Sequence, residues 1–172
     1  MSQQMNIGPP QPVLIAMEFG SDLIAPRTRH DDVEIARRSF AAFNRTVAEG
    51  VDDYYELLDA EIEWIPITAL LDGRTYRRTE GVRRWVDDIK RDWAVYEIRW
   101  KQGLDLGDGR VLAFGAWDCL GRRGGVQLSF DQAAWLIELR GGKLIRLQTF
   151  ADRSEALEAA GLRGEPGVLP AG

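Results

Sequence analysis

The order in which its patterns arrive constrains this chain more than any single motif. Helical periodicity comes first, and four long strand-like stretches joined by short glycine-rich links come after it. Asp31 with Glu34 three residues on is a capping-box signature, and Val33, Ala36, Phe40, Phe43 and Val47 then recur at helical spacing. Asp52 or Asp53 can cap a shorter helix through Leu57 and Leu58, after which Glu61 to Ile65 alternates as a strand does. Leu70 to Tyr76 reads as a turn and a short strand. Thr79 can cap the next helix, where Val82, Trp85, Val86, Ile89 and Trp93 form an apolar stripe. Such a stripe needs a large apolar partner. The strands Tyr96 to Leu106, Arg110 to Leu120, Val126 to Leu139 and Lys143 to Ala151 supply it.

The links Gly107-Asp108-Gly109, Gly121 to Gly125 and Gly141-Gly142 are hairpin signals, so the four strands are expected to form an antiparallel meander. Asp152 caps a last helix, with Glu155 completing the box and Gly161 near its end. Helices first and a bent sheet afterwards give an α+β fold, a cone-shaped curved antiparallel sheet wrapped around the N-terminal helices. Strand positions then alternate between the inside and the outside. In the third meander strand, Ser129, Asp131, Ala133, Trp135, Ile137 and Leu139 are assigned inward. Phe130 and Leu136 fall on the other face, which fits a sheet covered by a second subunit and hence a homodimer.

A chain of 172 residues with 45% hydrophobic content supports one domain. The expected division is an N-terminal extension over 1–29, partly disordered, a domain over 30–162 and a flexible tail over 163–172. The apolar patch Val13 to Phe19 is too short to span a bilayer, which takes about 18 residues, and it lacks the basic region of a signal peptide. It can add a strand, act as a lid or pair with another chain, and Met17 is an alternative start. A net charge of -5 and a pI near 5.0 argue against nucleic acid. The basic cluster Arg74, Arg77, Arg78, Arg83 and Arg84 reads as a turn and a solvated helix face, with Asp87 and Asp88 close by. Cys119 is the sole cysteine, so no internal disulfide is possible and a cytoplasmic setting is the default.

Several stretches resemble the SnoaL-like branch of the nuclear transport factor 2-like (NTF2-like) superfamily: Phe40 to Arg45, Leu57 to Trp64, Tyr76 to Val82, Leu139 to Leu147 and Asp152 to Leu157. Together they span roughly 31–162. The resemblance implies the NTF2-like or cystatin-like roll, and it leaves the chemistry open. That superfamily holds ketosteroid isomerases, polyketide cyclases, dehydratases, epoxide hydrolases and members that only bind ligands or proteins. Isomerase chemistry of that kind needs a carboxylate base and an oxyanion hole of a tyrosine and a protonated aspartate. Those positions align here with Ile65 or Trp64, with Phe40 and with Trp135, so all three roles are vacant. The dehydratase and cyclase members use histidine or aspartate in the cone, whereas the one histidine here, His30, sits at the start of the first helix and is expected to be solvent-exposed.

One His and one Cys make a Cys-His pair, a Ser-His-Asp triad and a histidine-based metal site implausible, and no cofactor is expected. Carboxylate chemistry remains. Asp131, inward beside Trp135, is the candidate general acid or base, because burial against an aromatic wall raises a carboxyl pKa. Asp118 is the second candidate, in a pair of the epoxide-hydrolase kind with Arg99 or Arg146 as partner. Parity opposes it, since Trp117 and Asp118 cannot both face inward and Trp117 is assigned inside. Phe40, Phe43, Tyr54, Trp64, Trp85, Trp117, Trp135 and Phe150 are the candidate lining of a pocket for a small apolar molecule. The alternative is a non-enzymatic dimeric binding or assembly module whose pocket is filled by its own tryptophans.

Overall fold

The computed structural model describes residues 29–69 and 73–162. Expectations for Val13 to Phe19, for the tail 163–172 and for Leu70 to Asp72 lie outside those residues, as does the side chain of His30. Helix α1 (Arg29–Glu49) begins two residues ahead of the expected cap, and α2 (Asp53–Glu56) is a single turn that leads into β1 (Leu58–Ile65). Strand β2 (Tyr76–Arg77) runs directly into α3 (Arg78–Asp92), which starts one residue before Thr79 and has no side-chain cap. Then come β3 (Trp93–Gly107), β4 (Arg110–Gly121), β5 (Gln127–Arg140), β6 (Lys143–Phe150) and α4 (Arg153–Ala159).

The strands form one curved, open sheet in the order β2-β1-β6-β5-β4-β3. The meander is antiparallel as expected, and β1 joins it parallel to β6, so the sheet is mixed. On its inner face, Phe40 and Phe43 of α1 and Val82, Trp85, Val86 and Ile89 of α3 pack against Trp64, Ile98, Trp117, Trp135 and Leu147. This is the larger core. On the outer face, Leu112, Phe114, Ala134, Leu136 and Phe150 are covered by Ala156 and Ala160, at and just beyond α4. The Asp152 carboxylate accepts from the Ser154 and Glu155 amides at 2.6 and 3.3 Å, which is the expected cap, and Arg153 lies 4.0 Å above the Phe114 ring. Leu136 is therefore covered by the chain's own helix, where the sequence pointed to a second subunit.

One irregularity decides what faces inward. Gly115 opposes Ala133 and Trp117 opposes Phe130, so two residues of β5, Asp131 and Gln132, stand against the single Ala116 of β4. That is a β-bulge, and its extra residue reverses the facing of everything on one side of it. Ala133, Trp135, Ile137 and Leu139 belong to the inner core as expected. Phe130 packs on the inner core as well, and exposed Ser129 turns outward.

Strand β3 is an edge, and edges expose unpaired backbone groups that invite other chains. Three register shifts against β4 break its regularity. At its centre, Asn44 of α1 donates to the Ile98 carbonyl at 2.7 Å and accepts from the Ile98 amide at 3.0 Å, so one side-chain amide stands in for a neighbouring strand. Glycines 103 and 115 permit close packing around this strand. A Cβ on Gly103 would lie 2.7 Å from Val33 of α1, and one on Gly115 would run into the Arg99 carbonyl oxygen.

Candidate functional site

The inner face gathers its aromatic rings into one core, in which the larger group of ring contacts has Phe43 as its hub. Its ring lies 5.3 Å from Tyr54, 5.9 Å from Trp64, 5.5 Å from Trp85 and 6.0 Å from Tyr96. Trp64 and Trp85 are 4.4 Å apart, Phe40 meets Trp135 and Trp100 edge-on, and Tyr96 leads on to Trp117. Seven of the eight expected lining residues, Phe40, Phe43, Tyr54, Trp64, Trp85, Trp117 and Trp135, belong to this one cluster. The eighth, Phe150, does not: it packs under α4 on the outer face, because it pairs with Ala134, one step out of phase with Trp135. Tyr55, Tyr76, Trp93, Tyr96, Trp100 and Phe130 also pack in or against it. Tyr96 and Trp100 alternate with Glu97 and Arg99, a signal legible in β3, whereas Phe130, stacked on Trp117 at 4.9 Å, is inside only because of the bulge.

These rings leave little room. Ser39, Phe40, Phe43, Tyr54, Trp64, Ile98 and Leu147 line a void of about 150 Å³ that is nowhere wide enough to seat a water molecule. Two side chains on its wall carry polar atoms that find no partner: the Tyr54 hydroxyl and the Trp64 indole nitrogen are both buried without a hydrogen bond, and the Trp117 indole nitrogen shares that condition elsewhere in the core. A buried donor left unpaired costs about 1–3 kcal/mol. The Ser39 hydroxyl is spoken for, since it donates to the Ala36 carbonyl at 2.7 Å. Burial drives the Tyr54 and Tyr96 hydroxyls well above the usual phenol pKa, so both stay protonated and serve as donors, not as bases. Burial likewise pushes the Cys119 thiol up to about 12, with the Asp118 charge adding to the effect.

The carboxylates are elsewhere. Asp131 is exposed on the bulge, where Lys101 donates to its main-chain carbonyl at 3.3 Å, and it does not sit beside Trp135 as expected. The cause is the extra residue: with Phe130 and Ala133 both inward, the bulged pair between them is pushed out. Asp118 faces outward while Trp117 is buried inside, in keeping with parity. Its partners are Arg99 at 2.5 Å and the Ser129 hydroxyl at 2.5 Å. Arg146 instead bridges Glu63 and Glu138, each at 3.5 Å, and Arg77 meets Glu63 at 2.9 Å. With Glu61, Arg78 and Ile145 these residues line an open cleft of about 450 Å³ in which three acids balance three bases. Basic residues of the early cluster are thus paired across elements, Arg78 with Glu61 and Arg83 with Asp52, and Arg83 also stacks on Tyr55. Among the described residues no group of three or more His, Cys, Asp or Glu side chains could hold a metal ion, and no helix is long and apolar enough to cross a membrane.

No family model matches this chain, and no curated protein matches it in sequence. Solved structures do match, and they define the fold as NTF2-like. An NTF2-like protein from Burkholderia thailandensis superposes with a TM-score of 0.59 at 22% identity, over 76% of this chain and 95% of that one. TerC, co-crystallised with polyporic acid, gives 0.59 at 17% identity, over 76% and 98%. A hypothetical protein with a ketosteroid isomerase-like fold from Catenulispora acidiphila, in complex with trimethylamine, gives 0.59 at 16% identity, over 75% and 93%. A likeness at these identities establishes the architecture alone.

Proposed function

We propose that this protein binds a small apolar molecule inside its aromatic cone and does so without acid-base machinery. The observation that carries the proposal is the pair of unpaired donors, Tyr54 and Trp64, on the wall of one apolar void. Native interiors rarely leave such groups orphaned, and a ligand that spreads the rings and pairs with them removes the cost. Structural neighbours solved with polyporic acid and with trimethylamine are in keeping with a small-molecule role for this architecture. Among the described residues no carboxylate or imidazole lines the void, and the exposed position of Asp131 argues against catalysis there. Asp131→Asn is expected to leave ligand binding unchanged.

Native mass spectrometry of the purified protein, followed by a denatured spectrum of the same sample, tests this reading. A co-purified small molecule supports it, and its loss in Phe43→Ala places it in the cone. An empty protein that shows no binding to a panel of small aromatic compounds counts against it. A second reading, a self-filled assembly module, is favoured by the tight closure of the void. Its dimer surface would be the part of the outer sheet that α4 leaves bare, where Val95 and Leu120 pair across strands and are 45% and 37% exposed. A dimer that Val95→Lys splits, with no ligand in either form, would favour that reading. Either role fits a cytoplasmic setting, in which the buried thiol of Cys119 stays reduced.

A further inference from the structure

We propose that a binding site lies outside the aromatic void, in a groove where the C-terminal ends of α1 and α3 meet the start of β3, and that it takes an unbranched apolar chain ending in a carboxylate. Val47 and Ala48 of α1 and Trp93, Ala94 and Val95 of β3 give the groove its apolar lining, around a volume of about 290 Å³. None of the groove's lining residues lines the void beside Phe43, so occupation of one does not depend on the other. Five consecutive residues of β3, from Trp93 to Glu97, border the groove, whereas a regular strand turns every second side chain away. The register shift against β4 breaks that alternation, because Trp93 pairs with Gly121 and Val95 already pairs with Leu120. Apolar surface is left for a guest to cover, since Val95 is 45% exposed.

Charge selects the guest's head group. Lys90, near the end of α3, and Arg122, in the link between β4 and β5, share the lining with one acid, Glu97. Neither cation has an ion-pair partner among the described residues, and the acids nearest in the chain, Asp88 and Asp92, are taken by Arg91. Arg122 is tied twice to the end of α3: its amide donates to the Asp92 carbonyl and its Nε to the Lys90 carbonyl, both at 2.9 Å. What it has left for a guest is its two terminal nitrogens, a planar fork that matches the two oxygens of a carboxylate. Asn44 adds nothing to the recognition, because its amide is spent on both backbone groups of Ile98. Two cations against one carboxylate favour an anion, and the largely aliphatic walls favour methylene groups behind it.

Four probes separate these contributions: octanoate; hexanoate, which shortens the chain; 1-octanol, which removes the charge; and octylammonium, which reverses it. Each is titrated against the full-length protein at neutral pH and low ionic strength, by calorimetry and by amide chemical shifts. Octanoate is expected to bind about fivefold or more tightly than 1-octanol and about tenfold more tightly than hexanoate, to lose affinity as salt is added, and to shift the amides of Trp93 to Glu97 and of Arg122. Octylammonium is expected to bind no better than 1-octanol. Arg122→Gln is expected to bring octanoate down to 1-octanol, and Lys90→Gln to weaken octanoate alone; thermal melts show that both variants fold. Equal affinity for octanoate and 1-octanol would overturn the choice of head group, and equal affinity for octanoate and hexanoate would overturn the apolar lining as its partner. A preference for octanoate that survives both substitutions would overturn the assignment of the cations. Shifts confined to Phe43, Trp64 and Trp85 would put the chain in the cone and overturn the groove, as would the failure of every probe to bind.

Discussion

The two faces of the one sheet are built on opposite terms. The inner face is aromatic and free of charge on the void it encloses, and its polar atoms are a few hydroxyls and indole nitrogens. The outer face mixes a small apolar patch under α4 with carboxylates and guanidinium groups that pair with one another. The ion pairs thus lie where water screens them, and among the described residues the apolar void is lined by no carboxylate, imidazole or amine. An enzyme of the acid-base kind needs both in one place. Among the described residues, the paired carboxylates and the apolar void lie on opposite faces of the sheet.

The separation makes the stability cost of substitutions very unequal. Trp135→Ala removes a fully buried ring from the inner network and is expected to cost about 3–5 kcal/mol, read from urea unfolding. A loss near the surface value would mean that the inner core repacks. Asn44→Ala leaves the Ile98 amide and carbonyl at the sheet edge without partners and is expected to cost about 1–3 kcal/mol. A faster-exchanging Ile98 amide in hydrogen exchange is the accompanying signature, and an unchanged rate would show that the edge is held by something else. Tyr54→Phe has the opposite sign: deleting an orphaned hydroxyl from the unliganded protein is expected to leave stability unchanged or raise it by about 1 kcal/mol. A clear loss in unliganded protein would reveal a partner for the hydroxyl in solution. On the outer face, Asp118→Asn breaks a partly exposed ion pair and is expected to cost less than about 1 kcal/mol.

The pH responses divide in the same way. The Asp59 carboxyl is held below its ordinary value of 3.8 by the Glu61 amide and then by Arg140. A depressed folded pKa means stability that is present above 3.8 and lost as the pH falls through the lower folded value. Asp59→Asn should therefore lower stability at neutral pH and leave the acid extreme almost untouched, which flattens the curve between them. Cys119 works at the other end. Its unfolded thiol ionises near 9 and its folded thiol near 12, so the unfolded state binds fewer protons between them and stability falls as pH rises across that interval. Iodoacetamide at pH 8 should label the thiol in urea and spare it in the folded protein. Rapid labelling without denaturant would show that the inner core opens on its own.

Much of the architecture was legible because local chemistry and periodicity are local facts. Asp152 and Gly161 bound the last helix as their side chain and backbone freedom require, and the stripe of α3 and the alternation of β4 point to one buried face. Seven of the aromatic residues could be grouped for the same reason. Asp131, Phe130 and Phe150 could not be placed that way. A strand's parity holds only until an extra residue enters it, and nothing in Ser129-Phe130-Asp131-Gln132 announces that Ala116 will face two of its residues at once.

The sequence by itself determined the order of elements, the Asp152 cap, the hairpins and the shortage of histidine and cysteine, because each depends on residues close together in the chain or on mere composition. The tertiary structure alone decided that a bulge turns Asp131 out and Phe130 in, that α4 covers Leu136, and that the aromatic rings close on one another around two unpaired donors. Those outcomes depend on which strands pair, in what register, and on how large side chains from distant segments share a limited volume.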